Sequence, residues 1–271
     1  MKKLLLSGIT AVALMAAGTA QAGVGLDLYG GTGVARTPLA IALAPMEFQI
    51  AADWVFSDDT FVPLRAAVGL PYGIEIGGAY WYTDPDMDTA DVEIDIYDLT
   101  AKWVLPSFYQ NLSLAIGGHY SAQQFDINAI NFDYDNDGYD LYAVATYVAP
   151  VGEGLSLIPS VGVLWETKSG DPDDDAFKFF ASLLFKGSNW AVGGEYLMAD
   201  ENVDAIYDPN GLLVGDADPD DFWWIGGRYY LNPMVTFQGG YINNANLFDD
   251  DGEIKDGIFH LGVQFAFQTG K

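Results

Sequence analysis

Near its end the chain alternates: Phe259, Leu261, Val263, Phe265 and Phe267 are large and apolar, while His260, Gly262, Gln264 and Ala266 between them are small or polar. A repeat of two is the side-chain period of a β-strand, so this stretch predicts an element with one greasy face and one polar face. The pattern recurs in twelve segments, at 47–57, 61–70, 74–84, 93–105, 112–125, 138–149, 155–168, 176–186, 190–200, 221–231, 235–245 and 257–268. Each is bounded by turn residues, and the connections alternate strictly in length. Short ones lie at 71–73, 106–111, 150–154, 186–189 and 232–234; long ones at 84–92, 126–137, 169–175, 201–220 and 246–256, with a shorter member at 57–60. Tight turns at one end and longer loops at the other, with an even strand number that returns both termini to one side, are the arrangement of an antiparallel barrel that crosses a bilayer.

Alternation alone does not decide between a barrel in lipid and a soluble sandwich, which also hides one face of each strand. The aromatic residues discriminate. Trp54, Tyr80, Tyr82, Tyr120, Trp165, Trp223 and Tyr241 fall toward the long-loop ends, and Phe48, Trp103, Tyr147, Trp190, Tyr229, Phe265 and Phe267 toward the short-turn ends. Smaller residues, among them Ala52, Gly78, Gly118, Ala181, Gly194 and Gly227, occupy the band between. Two aromatic belts flanking a band of smaller residues match the two membrane interfaces, whereas a close-packed soluble core puts its bulk in the middle. Segments 62–70, 138–149 and 155–168 carry apolar residues on both faces and leave their inward side unassigned.

The N-terminus sets the compartment. Lys2 and Lys3, an apolar run over 4–17 and the sequence Ala-Gln-Ala at 20–22 have the three parts of a secretory signal peptide. No later run of eighteen apolar residues exists, so a helical span is excluded on length, and the absence of cysteine removes disulfides, thiolate metal sites and a cysteine nucleophile. The expected organisation is a signal peptide at 1–22, an N-terminal periplasmic or plug segment at 23–46, a barrel at 47–268 and a tail at 269–271. The stretch at 30–45, GGTGVARTPLAIALAP, is too irregular to span; it either folds into the barrel mouth as a plug or serves as a periplasmic entry segment.

At 260–267 the letters HLGVQFAF resemble the C-terminal insertion signal of Gram-negative outer-membrane β-barrel proteins: a polar His260, then Gly262, the hydrophobic Phe265 and a final aromatic, Phe267. The resemblance covers the pattern from 23 to 267 and the motif over these few residues. It implies an all-β, antiparallel up-and-down transmembrane barrel of porin type in the bacterial outer membrane, surrounded by lipid and lipopolysaccharide and placed there by the barrel-insertion machinery. It names no solute. The chain departs from the family in continuing with Gln-Thr-Gly-Lys after the aromatic.

Charge now acquires a direction. The net charge is −27, and all 38 acidic residues follow the leader. Most of them lie in or beside the six long connections, including Asp58, Asp59, Asp216, Asp218, Asp220 and Asp221, so the negative field belongs to one rim. Such a rim concentrates cations within about 8–10 Å at ordinary salt. No basic patch exists to neutralise a nucleic-acid backbone, which excludes that partner.

Strand phase predicts a lumen lined by Asp53, Glu75, Asp98, Glu166 and Glu195 against Arg65, Lys102, Lys178 and Arg228, with His119 and His260. These groups must be wet or paired, because an isolated buried charge is costly. Twelve strands stand between eight-stranded barrels that side chains can fill and sixteen-stranded ones with an open water channel, so the lumen is either a narrow pore or a plugged one.

Three chemistries are weighed against this background. Asp133, Asp135, Asp137 and Gly138, followed by Asp140, begin like a calcium loop, but the twelfth position is Val144, so this is no EF-hand; weakly bound calcium is the one cofactor expectation, with a solvated acidic loop as the plainer reading. His119 and Ser121, with Asn128 and Asn131 downstream, are similar to the His-x-Ser of the outer-membrane phospholipase A family, whose pair faces lipid. Here Leu112, Leu114, Ile116 and Tyr120 take the lipid face, so phase turns His119 and Ser121 inward and no enzyme is expected. Protease-like Asp and His clustering at the rim has no spacing to support it. Two readings lead: a narrow, cation-preferring channel for small hydrophilic solutes, or a closed structural or surface-interaction barrel whose acidic loops bridge to lipopolysaccharide or partners through divalent ions; a phospholipase-like lipid hydrolase stands third.

Overall fold

The structure, a computed structural model, describes residues 25–28, 30–56, 60–83, 86–87, 90–106, 109–127, 132–168, 176–198, 206–207, 213–215, 221–243 and 257–268. The signal segment 1–22 and most of the acidic rim lie outside these residues.

Twelve strands make the wall: β1 (Glu47–Phe56), β2 (Leu64–Leu70), β3 (Ile74–Thr83), β4 (Ala90–Val104), β5 (Leu112–Ile127), β6 (Phe132–Tyr147), β7 (Leu155–Lys168), β8 (Ala176–Lys186), β9 (Trp190–Leu197), β10 (Phe222–Asn232), β11 (Val235–Asn243) and β12 (Gly257–Gln268). Each pairs antiparallel with the next. The last pairs with the first, from Glu47 opposite Gln268 to Phe56 opposite Phe259, so the sheet closes and has no open edge. Closure is what a bilayer demands, because an unpaired edge in hydrocarbon would leave a row of unsatisfied amides and carbonyls.

The outward face is apolar. Leu99 and Phe259 are each 63% exposed and Ile225 60%, and the neighbouring outward positions Ile76, Ile116, Val161, Phe179, Leu183, Val192 and Leu261 are exposed as well. A contiguous apolar surface of this kind is far larger than a soluble monomer carries, and it belongs against lipid tails. Aromatic side chains pair across strands toward the long-loop end, Tyr80 with Tyr97 at 5.1 Å, Trp223 with Tyr241 at 5.3 Å and Tyr241 with Phe259 at 5.0 Å between ring centroids. Toward the turns, Trp103, Tyr147, Trp190 and Tyr229 stand exposed in a second belt.

Two boundaries differ from expectation. β5 and β6 stay paired from Leu112 opposite Tyr147 as far as Ile127 opposite Phe132, so most of the expected loop at 126–137 is a two-stranded extension. β4 likewise starts at Ala90. Sixteen residues span about 50 Å at roughly 3.3 Å each, more than a bilayer core, so these strands rise beyond the membrane on the long-loop side. A strand in water keeps its ladder but needs no apolar face, which is why its sequence reads as loop.

The faces left unassigned from sequence also resolve. In β2, Arg65, Ala67 and Gly69 turn inward. In β6, Tyr142 and Val144 face the lumen, and in β7 Ile158 does so, while Leu141 and Val161 face out. These strands are apolar on both sides because the lumen holds an apolar body. Leu28, Val34, Ala35 and Leu39 form one cluster with Val55, Ile158, Leu184, Phe222 and Trp224 of the wall, and Ala40 forms another with Ala115, Tyr142, Val144 and Phe180. The molecule's core is therefore inside the cylinder, between the wall and the N-terminal segment.

Candidate functional site

Residues 25–28 and 30–44 fill the lumen without any helix or strand. Isolated bridges join Leu26 to Thr32 and Gly33 to Pro38, and the chain folds on itself through Asp27 N donating to Gly31 O and Leu28 N to Ala35 O. Leu26, Leu39 and Ala40 have no exposed surface. The turn at Gly30 has φ 87°, open to glycine without strain, and its carbonyl lies against Gly77 of β3, where any side chain would collide with it.

An irregular segment in a dry interior has a physical problem, since its amides and carbonyls lack secondary-structure partners and must find others. The wall supplies them, mostly from charged side chains. Arg65 donates through Nη1 to the carbonyls of Leu26 and Asp27 at 3.0 and 2.9 Å. Arg228 donates through Nη2 to those of Gly33 and Val34 at 3.0 and 2.7 Å. Lys102 donates to the Thr32 carbonyl at 2.9 Å and to its hydroxyl. In the other direction, Glu195 accepts from the amides of Ala35, Arg36 and Thr37 at 2.9, 2.6 and 3.2 Å and from the Thr37 hydroxyl at 2.7 Å. Glu75 accepts from the amides of Thr32 and Leu43 at 2.7 and 2.9 Å. Gln264 takes the Leu26 amide at 3.0 Å and the Thr146 hydroxyl takes that of Ala40 at 2.9 Å.

The charges also pair with one another along the wall. Arg65 meets Asp53, Lys102 meets Glu75 at 3.1 Å, and Gln238 donates to Asp53 at 2.9 Å. Neighbouring charges of opposite sign, with Arg65, Lys102 and Glu75 also bonded to the plug, are the arrangement that makes burial of ions tolerable. Above this level, His119 stands between Asp98, 3.0 Å from Nε2, and Asp140, 3.1 Å from Nδ1. It borders a small recess lined also by Asp27, Arg36, Thr100 and Tyr142. Glu166 and Lys178 pair nearer the rim, and the His260 Nε2 accepts from Trp224 Nε1 at 2.9 Å.

Of the eleven residues read from sequence as lumen-lining, the structure brings Arg65, Glu75, Lys102, Glu195 and Arg228 together around the plug; Asp53 and His260 back them, and Asp98, His119, Glu166 and Lys178 lie outside that ring. The site list read from sequence left out the neutral partners Gln49, Thr146, Gln238 and Gln264, all buried and all on the inward phase of their strands; phase already put Gln49 and Gln264 on the polar face, and the same signal finds the other two. It missed Asp27, Thr32 and Thr37 because the plug has no period to assign.

The calcium expectation meets a different local structure. Positions 133–140 lie in β6 rather than in a loop, and in a strand odd and even positions face opposite ways. Asp140 turns inward to His119, whereas Asp137 is exposed beside Tyr120, so these two carboxylates do not converge. The side chains of Asp133 and Asp135 lie outside the described residues. His119 has both ring nitrogens against carboxylates, leaving neither to activate Ser121. In β12, His260 and Gly262 face inward while Phe265 faces out, and a side chain at Gly262 would overlap the Asp53 carboxylate. Phe267 stacks on Phe48 across the closing seam with ring centroids 6.4 Å apart.

No protein-family model and no curated protein matches this sequence. Among solved structures the chain is similar to the KdgM porin, at 12% identity over 82% of this chain and 99% of that one with a TM-score of 0.50. It is similar also to the NanC porin, at 10% identity over 80% and 98% of the two chains with a TM-score of 0.54. What is shared at such identity is the fold, that of an outer-membrane porin barrel.

Proposed function

We propose that the protein is an outer-membrane channel for small hydrophilic solutes, closed in this conformation by its own N-terminal segment. The observation that carries this reading is the way the plug is held: charged wall groups bind its main chain, and water or a solute can replace each of those bonds. A barrel with only a structural task can fill its lumen with side chains from its own strands. A separate buried segment, covalently continuous with the wall at 44–47, leaves a lumen behind when it shifts. The acidic residues of the long connections support a preference for cations at the rim. Location in the outer membrane, contact with lipid and lipopolysaccharide, and insertion through the signal at His260, Gly262, Phe265 and Phe267 belong to the same reading.

A reducible lock tests it. The chain has no cysteine, and the Ala40 amide is 2.9 Å from the Thr146 hydroxyl, so Ala40→Cys with Thr146→Cys places one adjustable crosslink between plug and wall. Planar-bilayer recording is expected to show silence when oxidised and discrete conductance steps after reduction. Silence in both states, with the wild type equally silent, supports instead the closed structural barrel, which the apolar packing of Val34 and Leu39 against Ile158 and Trp224 favours. Cation preference that survives neutralisation of Asp216, Asp218, Asp220 and Asp221 together with the other loop acids would remove the rim explanation.

A further inference from the structure

We infer that the solutes this channel takes best are uncharged ring sugars, whose hydroxyls match one arc of the lumen and whose flat C–H faces match another. The inference rests on the channel reading and names its solute class. The plug already places hydroxyls on the charged wall. The Thr32 hydroxyl accepts from Lys102 and lies 3.1 and 3.0 Å from the two Glu75 oxygens, against the Ile41 carbonyl. The Thr37 hydroxyl donates to Glu195 at 2.7 Å. A hydroxyl both donates and accepts, so the same group serves either member of a pair such as Lys102 and Glu75.

The wall does not ask for a charged solute. Around the plug, among the described residues, Asp53, Glu75 and Glu195 stand against Arg65, Lys102 and Arg228, and Asp53 meets Arg65 as Glu75 meets Lys102. Acid and base stay balanced with the plug in or out, and a charged solute has to break into one of these pairs to find a counter-charge.

The apolar arc supplies the second complement. A side chain at Gly117 would strike the tip of the Tyr142 ring, one at Gly162 that of Phe180, and one at Gly226 or Gly240 the indole of Trp224. Gly117 is the cross-strand partner of Tyr142, and Gly162 that of Phe180. A ring laid over a glycine turns one face to the sheet and the other to the lumen. Plug carbon covers these rings: Ala40 clusters with Tyr142 and Phe180, and Val34, Ala35 and Leu39 cluster with Trp224. A solute in the plug's place covers them best with a flat array of C–H groups, whose small positive charges suit the negative face of an aromatic ring. A pyranose has that face and carries hydroxyls around its edge. An open-chain polyol has the hydroxyls without the face, and an acidic sugar adds a charge for which the wall holds no spare partner.

Uptake of labelled solutes by liposomes carrying the intact mature chain tests this, in salt high enough to screen the acidic rim. The solutes are glucose, mannitol, which has nearly the same mass but no ring, and glucuronate, which keeps the ring and adds a carboxylate. Glucose is expected to enter about threefold faster than mannitol, from the apolar face it buries, and about threefold faster than glucuronate. Phe180→Leu keeps an apolar side chain but removes one ring face, and should lower the glucose-to-mannitol ratio about twofold while leaving the glucose-to-glucuronate ratio unchanged. Mannitol or glucuronate entering as fast as glucose, or a wild-type glucose-to-mannitol ratio in Phe180→Leu, overturns the inference and leaves the channel standing. Exclusion of all three solutes by the folded barrel removes the channel as well.

Discussion

The two sides of the lumen hold the same plug by different physics. Around β2–β4 and β9–β10 the wall is polar, and Arg65, Glu75, Lys102, Glu195 and Arg228 make directed bonds to particular amides and carbonyls. Around β6–β8 it is apolar, and Tyr142, Val144, Ile158, Phe180 and Leu184 press on Leu39, Ala40 and their neighbours. Directed bonds fix where the segment sits; apolar contact fills space and tolerates small shifts. The difference teaches that position and occupancy are separately encoded, and so separately breakable.

Substitutions on the polar side should have the larger effect. Glu195→Ala leaves the amides of Ala35, Arg36 and Thr37 and the Thr37 hydroxyl without their acceptor, which costs about 3–5 kcal/mol of plug seating. The measurement is hydrogen exchange at those amides in a barrel whose strand amides stay protected; unchanged plug protection would contradict the polar clamp. Leu39→Ala, on the apolar side, is expected to cost about 3 kcal/mol through the cavity it leaves, with faster exchange across the plug but unchanged register of its bonds to Glu75.

Ile158→Val removes one methyl from the same surface and should cost about 1 kcal/mol, read as a small drop in the temperature at which the plug amides lose protection. Leu183→Ala lies on the lipid face, 42% exposed, and should move plug exchange by less than about 0.5 kcal/mol. An effect from Leu183→Ala as large as that from Leu39→Ala would mean that inside and outside have been exchanged.

The outside of the barrel was legible because lipid imposes a strict rule on alternate residues, and β10 and β12, the latter as far as Phe265, obey it. The charged lumen residues were legible by the same phase. What could not be decided was whether 30–45 plugs the lumen or stays outside it, since a segment whose amides are satisfied by distant side chains leaves no local repeat. Its trace was present in another form: β6 and β7 are apolar on both faces, and a wall greasy on its inner side implies something greasy within. The Asp- and Asn-rich stretch at 126–137 read as loop because polar residues on both faces are forbidden only inside the bilayer, and this hairpin continues past it.

One joint governs what can happen to the filled cylinder. Met46 has φ 65°, its amide donates to the Gly69 carbonyl, and the Glu47 amide donates to Ala44, so the backbone reverses sharply just before the first strand. Residues 25–28 and 30–44 hang from that single pivot, at the short-turn end of the barrel. Swinging the stopper out breaks no rung of any ladder, and the cylinder keeps its girth throughout. If the segment leaves as proposed, opening is uncoupled from unfolding, because the closed ladder of the wall needs nothing from the stopper.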